Sequence, residues 1–141
     1  MNAWLFGTGV TAHALLVAGL RNPTVRRRYV AAGELLAARG LADRHEHLLG
    51  LLGCAAMTRQ RVLRHLRGLE ALFDTAARVD APGYAFDSDI TVTARPVAID
   101  GTRALIDAGL HREAVFWLVA TYARCLLPDL RRTAGHLAPP T

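Results

Sequence analysis

"RQRVLRHLRGLEALFDTAARV", residues 59–79, decides the fold class. Val62, Leu66, Leu69, Phe73 and Ala76 recur at spacings of four and three, which on a helix lines them up as one apolar seam. The opposite side begins basic, with Arg59, Arg61, Arg64 and Arg67, and turns acidic at Glu70 and Asp74. Thr58 stands where a side-chain oxygen can cap the first turn. A seam of this kind needs other helices to cover it.

The flanking sequence supplies them. Residues 24–39 read as an amphipathic helix with Val25, Tyr29, Ala32, Leu35 and Leu36 on one side, Pro23 at its entry and Gly40 closing it. Asp43 and Glu46 resemble a capping box that opens a third helix through "HEHLLGLLGCAAM", with Gly50 and Gly53 inside it. A first helix is expected over about Thr11–Leu20. The apolar run from residue 3 is interrupted by Gly7, Thr8, Gly9, Thr11 and His13. It therefore reads as a packed helix and not as a signal or a membrane span, which needs roughly 20 predominantly apolar residues. After residue 80 the pattern is lost. "DAPGYAFDSDITVTARP" carries a Pro-Gly turn and a weak alternation, so an irregular segment with a short extended piece is predicted near 80–96. Two helices follow, one over about 97–108 ending at Gly109 and one over 111–127 ended by Pro128. The fold class expected is all-α, a single-domain bundle of five or six helices over residues 1–130, with 131–141 a frayed C-terminal tail.

Composition narrows the function. The chain has 141 residues, is 52% hydrophobic and has a mean hydropathy of +0.19, which excludes disorder and leaves apolar surface for a pocket or a second chain. The net charge is +5, and all 17 basic residues are Arg. These are scattered over several helices with few aromatics between them, so no specific nucleic-acid partner is expected. Arg does present a planar fork to carboxylate or phosphate. Cys54 and Cys125 lie in apolar surroundings without a second Cys or a His at metal spacing. They are read as buried free thiols in a cytoplasmic protein that needs no zinc or other cofactor.

Chemistry-bearing residues are few. Asp87 and Asp89 share a face if their segment is extended, which suits either a divalent cation or, more simply, a cap or an Arg95 partner. His45-Glu46-His47 has the wrong spacing for a helical metal site, since residues two apart do not face one another, and reads as a surface helix start. His13 is alone in an apolar helix and reads as a core or pocket histidine. Arg59 and His65 fall on different sides of a helix, whereas Arg61 and His65 share one. The helix 111–127 exposes a narrow polar stripe through Glu113, Thr121 and Arg124, and Trp117 lies on that stripe as an expected interface anchor.

Residues 86–125, "FDSDITVTARPVAIDGTRALIDAGLHREAVFWLVATYARC", with residues 22–41 upstream, resemble the HEPN-like helical domain that accompanies nucleotidyltransferase-like proteins. The resemblance implies an antiparallel bundle that packs on a partner and helps to shape a substrate pocket. The transferase's catalytic residues would belong to that partner, so none is carried over here. Two functions stand. One is a non-catalytic, small-molecule-binding or partner subunit that assembles with itself or another chain. The other is a small cofactor-independent enzyme of lyase, cyclase or transferase type. It would hold an anionic metabolite with Arg26, Arg28, Arg95 or Arg112, and His65 or His111 would move protons.

Overall fold

Every residue of the 59–79 seam is buried: Val62, Leu66, Leu69 and Phe73 at no more than 1% exposure and Ala76 at 5%. Thr58 caps this helix as expected, its hydroxyl accepting from the Arg61 amide at 3.3 Å. The computed structural model describes residues 2–79 and 86–136. Among the described residues the chain is all-helical and forms a single bundle of six α-helices: α1 (Asn2–Ala18), α2 (Arg28–Ala37), α3 (Ala42–Leu52), α4 (Arg59–Ala76), α5 (Gly101–Asp107) and α6 (Val115–His136). The 3-10 turns Val25–Arg27 and Asp87–Asp89 and one π turn, Pro96–Asp100, lie between them.

α4 packs along α6, and α5 closes on α4 from the side; α1, α2 and α3 form the other half, with α1 also reaching α6. One apolar cluster joins the halves. Tyr29, Leu36, Leu49, Leu66, Leu69, Phe73, Ile99, Ile106 and Phe116 all belong to it. Tyr29 and Phe116 meet with ring centroids 5.6 Å apart, and the Tyr29 hydroxyl donates to the Thr8 carbonyl at 3.1 Å, tying α2 to α1. Burial pushes the Tyr29 phenol up to about 12.

α1 and the turn that follows it pack through Gly9, Ala12, Leu16 and Gly19, again spaced by three and four. A Cβ on Gly9 would sit 3.0 Å from the Phe116 ring and one on Gly19 2.4 Å from the Leu35 side chain. These two glycines therefore let α1 come close to α6 and α2.

The boundaries differ from the sequence reading at several points. α1 begins at Asn2, not near Thr11, because Thr8 and Thr11 turn their hydroxyls onto the Trp4 and Gly7 carbonyls inside the helix. The capping box does not form. Leu41 is the N-cap of α3, without a side-chain hydrogen bond, because Glu46 is taken by Arg112. Gly53 adopts φ +79 and ends α3. Gly40 and Gly109, also at positive φ, close the helices they were expected to close. The "ITVT" stretch makes turns, not an extended piece. α6 starts four residues late and runs through Pro128 to His136, at the expense of the one hydrogen bond a proline nitrogen cannot donate. Residues 131–136, expected in a tail, are thus helical, while 137–141 and the Pro-Gly turn within 80–85 lie outside the described residues.

The polar stripe of the last helix is turned inward. Glu113, in the turn before α6, is 8% exposed and Thr121 1%. Thr121 is satisfied within its own helix, donating to the Trp117 carbonyl at 2.8 Å. The described part of α6 is mostly covered, with Trp117, Val119, Tyr122 and Arg124 partly exposed and Leu126 exposed at 38%.

Candidate functional site

A cavity of about 570 Å³ lies between α1, the start of α2, α6 and Phe86. Phe6, Val10, Val25, Phe116, Ala120 and Ala123 give it apolar walls, and Gly9 keeps the floor low. Among the described residues its polar groups are His13, Arg28 and Arg124, all basic. The volume falls in the range of small-molecule sites, and the pattern of apolar walls with a few convergent polar groups is that of a binding pocket.

Each element contributes for a local reason. The Val25–Arg27 turn and the α2 that follows it bring Val25 and Arg28 to the rim. α6 presents Phe116, Ala120 and Ala123 at successive turns, and the two alanines leave the empty space. Arg124 forms the far wall. Its guanidinium lies 4.9 Å from the Phe86 ring centroid and 4.9 Å from that of Trp117, and Asp89 Oδ2 is 3.5 Å from its Nη1. Asp89 therefore anchors Arg124, and Asp87 is exposed in the same 3-10 turn. No group of three His, Cys, Asp or Glu that could hold a metal occurs among the described residues.

The four arginines read from sequence as anion ligands do not converge. Only Arg28 lines the cavity. Arg26 donates to the Val97 carbonyl at 2.8 Å and lies against Gly101, where a Cβ would strike its guanidinium. Arg95 pairs with Asp74 at 2.8 Å and Asp100 at 3.6 Å, on the other side of the π turn, and Asp74 holds the Arg95 guanidinium above its ordinary value. Arg112 forms a two-pronged pair with Glu46, both contacts 2.8 Å, and adds the Ala55 carbonyl at 3.1 Å. That hydrogen bond holds the Glu46 carboxyl below the usual range. The Arg112 contacts clamp the first half of α3, through Glu46, and the turn after it, through Ala55, to the approach to α6.

The proton-moving candidates are separated from Arg28 as well. The His111 ring bridges the Gly109 carbonyl at 3.2 Å and the Met57 carbonyl at 3.1 Å. His65 lines a second, smaller cavity of about 360 Å³ between α4 and α6, with Met57, Val62, Val115, Leu118 and Tyr122 among its walls. The His65 carbonyl accepts from the Tyr122 hydroxyl at 2.8 Å. His45, read as a surface residue, is instead half-buried against Gly33, with Nε2 3.8 Å from Glu113 Oε1. That separation is too long for a hydrogen bond.

Cys54 and Cys125 are free and fully buried. Cys54 donates to the Arg112 carbonyl at 3.3 Å; burial, then the Glu113 carboxylate, pushes its thiol up to about 11. Burial takes Cys125 up to about 12. Raised values of this kind keep both as thiols at neutral pH, which suits packing and not nucleophilic attack.

Trp117 is half-buried, and its Nε1 is buried without an acceptor among the described residues. It stacks under Arg124, whose other neighbour Phe86 lines the cavity. Sequence reasoning missed His13, Arg124, Phe6 and Phe86 as a group. The one available signal was the seven-residue step from Trp117 to Arg124, two turns along the same face. Comparison of the chain with protein-family models, curated proteins and solved structures finds no match.

Proposed function

We propose that this chain is a non-catalytic helical binding module that takes a small amphiphilic anion into the cavity between α1, α2 and α6. The observation that carries the reading is the composition of that cavity: apolar walls with His13, Arg28 and Arg124 as its ionisable lining among the described residues. A carboxylate or phosphate head would sit against Arg28, where the Arg fork matches two oxygens at once. An aromatic or short aliphatic body would replace water along Phe6, Val10 and Phe116. Burying about 100 Å² of apolar ligand surface contributes about 2.5 kcal/mol at 25 cal/mol per Å². The resemblance of residues 22–41 and 86–125 to a HEPN-like companion domain carries the same expectation of a bundle that shapes a pocket.

Titration with 1-anilinonaphthalene-8-sulfonate and, separately, with decanoate tests this. Both should bind saturably at one site. Arg28→Ala should weaken both by about 5- to 30-fold, the equivalent of about 1–2 kcal/mol, while Arg61→Ala on the exposed side of α4 should change nothing. Loss of affinity for decanol in place of decanoate would match the anionic head. Absence of saturable binding, or equal losses for Arg28→Ala and Arg61→Ala, would refute the proposal.

A further inference from the structure

The cavity between α1, α2 and α6 is walled by one scarce residue type. The chain has 4 phenylalanines, and Phe6, Phe86 and Phe116 all line this space. The fourth, Phe73, is buried in the α4 seam. Leucine is far commoner in the sequence, yet neither it nor isoleucine nor methionine is found in the lining among the described residues. The three rings come from separate parts of the chain: α1, the residue before the Asp87–Asp89 turn, and the first turn of α6. Two of them stand in water, Phe6 at 72% exposure and Phe86 at 40%. Phe116 is buried, and Gly9 lies so close to it that an added Cβ would sit 3.0 Å from its Cζ. Large rings exposed together beside a cavity are unfavourable in water, and a ligand that covers them removes that cost.

The chemistry of this wall separates ligand classes. An aliphatic chain gains from the rings only the area it removes from water, whereas an aromatic body adds the offset or edge-to-face contact that ring pairs make beyond area. The wall already holds one flat group by stacking, since the Arg124 guanidinium lies 4.9 Å from the Phe86 ring centroid. The polar lining side chains are His13, Arg28 and Arg124, and of these only a neutral His13 can accept a hydrogen bond. A nucleobase or a sugar would bring several N–H or O–H donors to side chains that cannot receive them. Arg28 is half-buried and has no hydrogen-bond or ion-pair partner among the described residues, so its fork is open to two oxygens of an anion.

We propose that the ligand of this cavity is a planar aryl carboxylate, bound in preference to a fatty acid or a nucleotide. Its ring lies against Phe6, Phe86 and Phe116, and its carboxylate lies on Arg28. Phe6 and Phe86 then set the specificity for the body of the ligand, and Arg28 holds its head. This assignment rests on the reading of the cavity as an anion-binding pocket and narrows it to one ligand class.

Calorimetric titration of the full chain with 2-naphthoate and with trans-decahydro-2-naphthoate tests it. The two acids share a head and a carbon skeleton, and the saturated one has the larger apolar surface, so burial by itself gives it equal or higher affinity. 2-Naphthoate should nevertheless bind about 10-fold tighter. Phe6→Leu/Phe86→Leu should bring that ratio below about 3 and leave the affinity of the saturated acid within about 2-fold, because leucine keeps the apolar area and loses the ring contact. The helical spectrum should be unchanged, since both rings face solvent. Arg28→Ala should weaken both acids alike and keep the ratio. A saturated acid that binds as tightly as 2-naphthoate, with the dependence on Arg28 intact, would overturn the proposal and leave the pocket reading standing. A ratio that persists in Phe6→Leu/Phe86→Leu would overturn it as well. Saturable binding of neither acid would refute the pocket reading itself, and the aryl assignment with it.

Discussion

Stability should fall steeply in mild alkali, and the absence of lysine makes the cause readable. Arg stays protonated throughout this range, so the side chains left to titrate there are two Cys and three Tyr. Cys54 and Cys125 are 0% exposed and Tyr29 1%. Their folded values are pushed up to about 11, about 12 and about 12, from 9.0, 9.0 and 10.0. For an acid raised in this way the neutral form is favoured by the fold. Below the unfolded value both states hold the proton and the shift costs nothing. Above it, the unfolded chain has released a proton that the native chain still holds, and stability declines by about 1.4 kcal/mol per pH unit for each such group. The two thiols together give a loss of about 3 kcal/mol between about pH 9 and pH 10.5, and Tyr29 adds just under about 1 kcal/mol by the upper limit. Set against a typical total of about 5–15 kcal/mol, this is enough to move a denaturation midpoint well outside error. Urea unfolding under a thiol reductant at several pH values across this window measures it. Cys54→Ala/Cys125→Ala should start less stable because two core side chains are shortened, yet lose most of the pH slope. Parallel slopes for the wild type and the double variant would refute the reasoning, as would native thiols that ionise near their ordinary value when followed by thiolate absorbance.

Leu20 holds φ +54 at the end of α1 with its side chain 94% exposed, in the position a glycine normally occupies. Leu20→Gly should raise stability by about 0.5–1 kcal/mol in chemical denaturation; a loss would mean the exposed side chain is held by something else. Trp117→Ala should cost about 2–3 kcal/mol, less than full burial would give, by removing the ring under Arg124. Trp117→Phe should stay within about 1 kcal/mol of wild type, because it deletes a buried N–H that has no acceptor among the described residues. Equal losses for the two variants, read from thermal melts, would contradict that account.

The α4 seam was legible in the sequence because its five apolar positions sit on one face and that face has one destination. The same holds for Tyr29, Ala32, Leu35 and Leu36 in α2, and for Gly40 and Gly109, whose positive φ is a local backbone requirement. Periodicity failed where a helix is covered on most sides. In α6 the residues read as a solvent stripe, Glu113, Thr121 and Arg124, are placed by neighbours distant in the chain: Glu113 lies near His45, Thr121 closes on its own backbone, and Arg124 stacks between Phe86 and Trp117. α1 failed for a related reason, since it is apolar on both sides and its buried and exposed faces look alike in one dimension. The candidate site was hardly legible at all. Arg26, Arg95 and Arg112 are as basic as Arg28, and only the fold decides that each of the three meets a carbonyl or a carboxylate while Arg28 is left at the rim of a cavity. Local sequence sets which residues bury themselves. Which charges are neutralised, and which stay available for a ligand, depends on contacts between residues 21 to 71 positions apart or on the chance of which elements border an empty space, and that was decided by the tertiary structure alone.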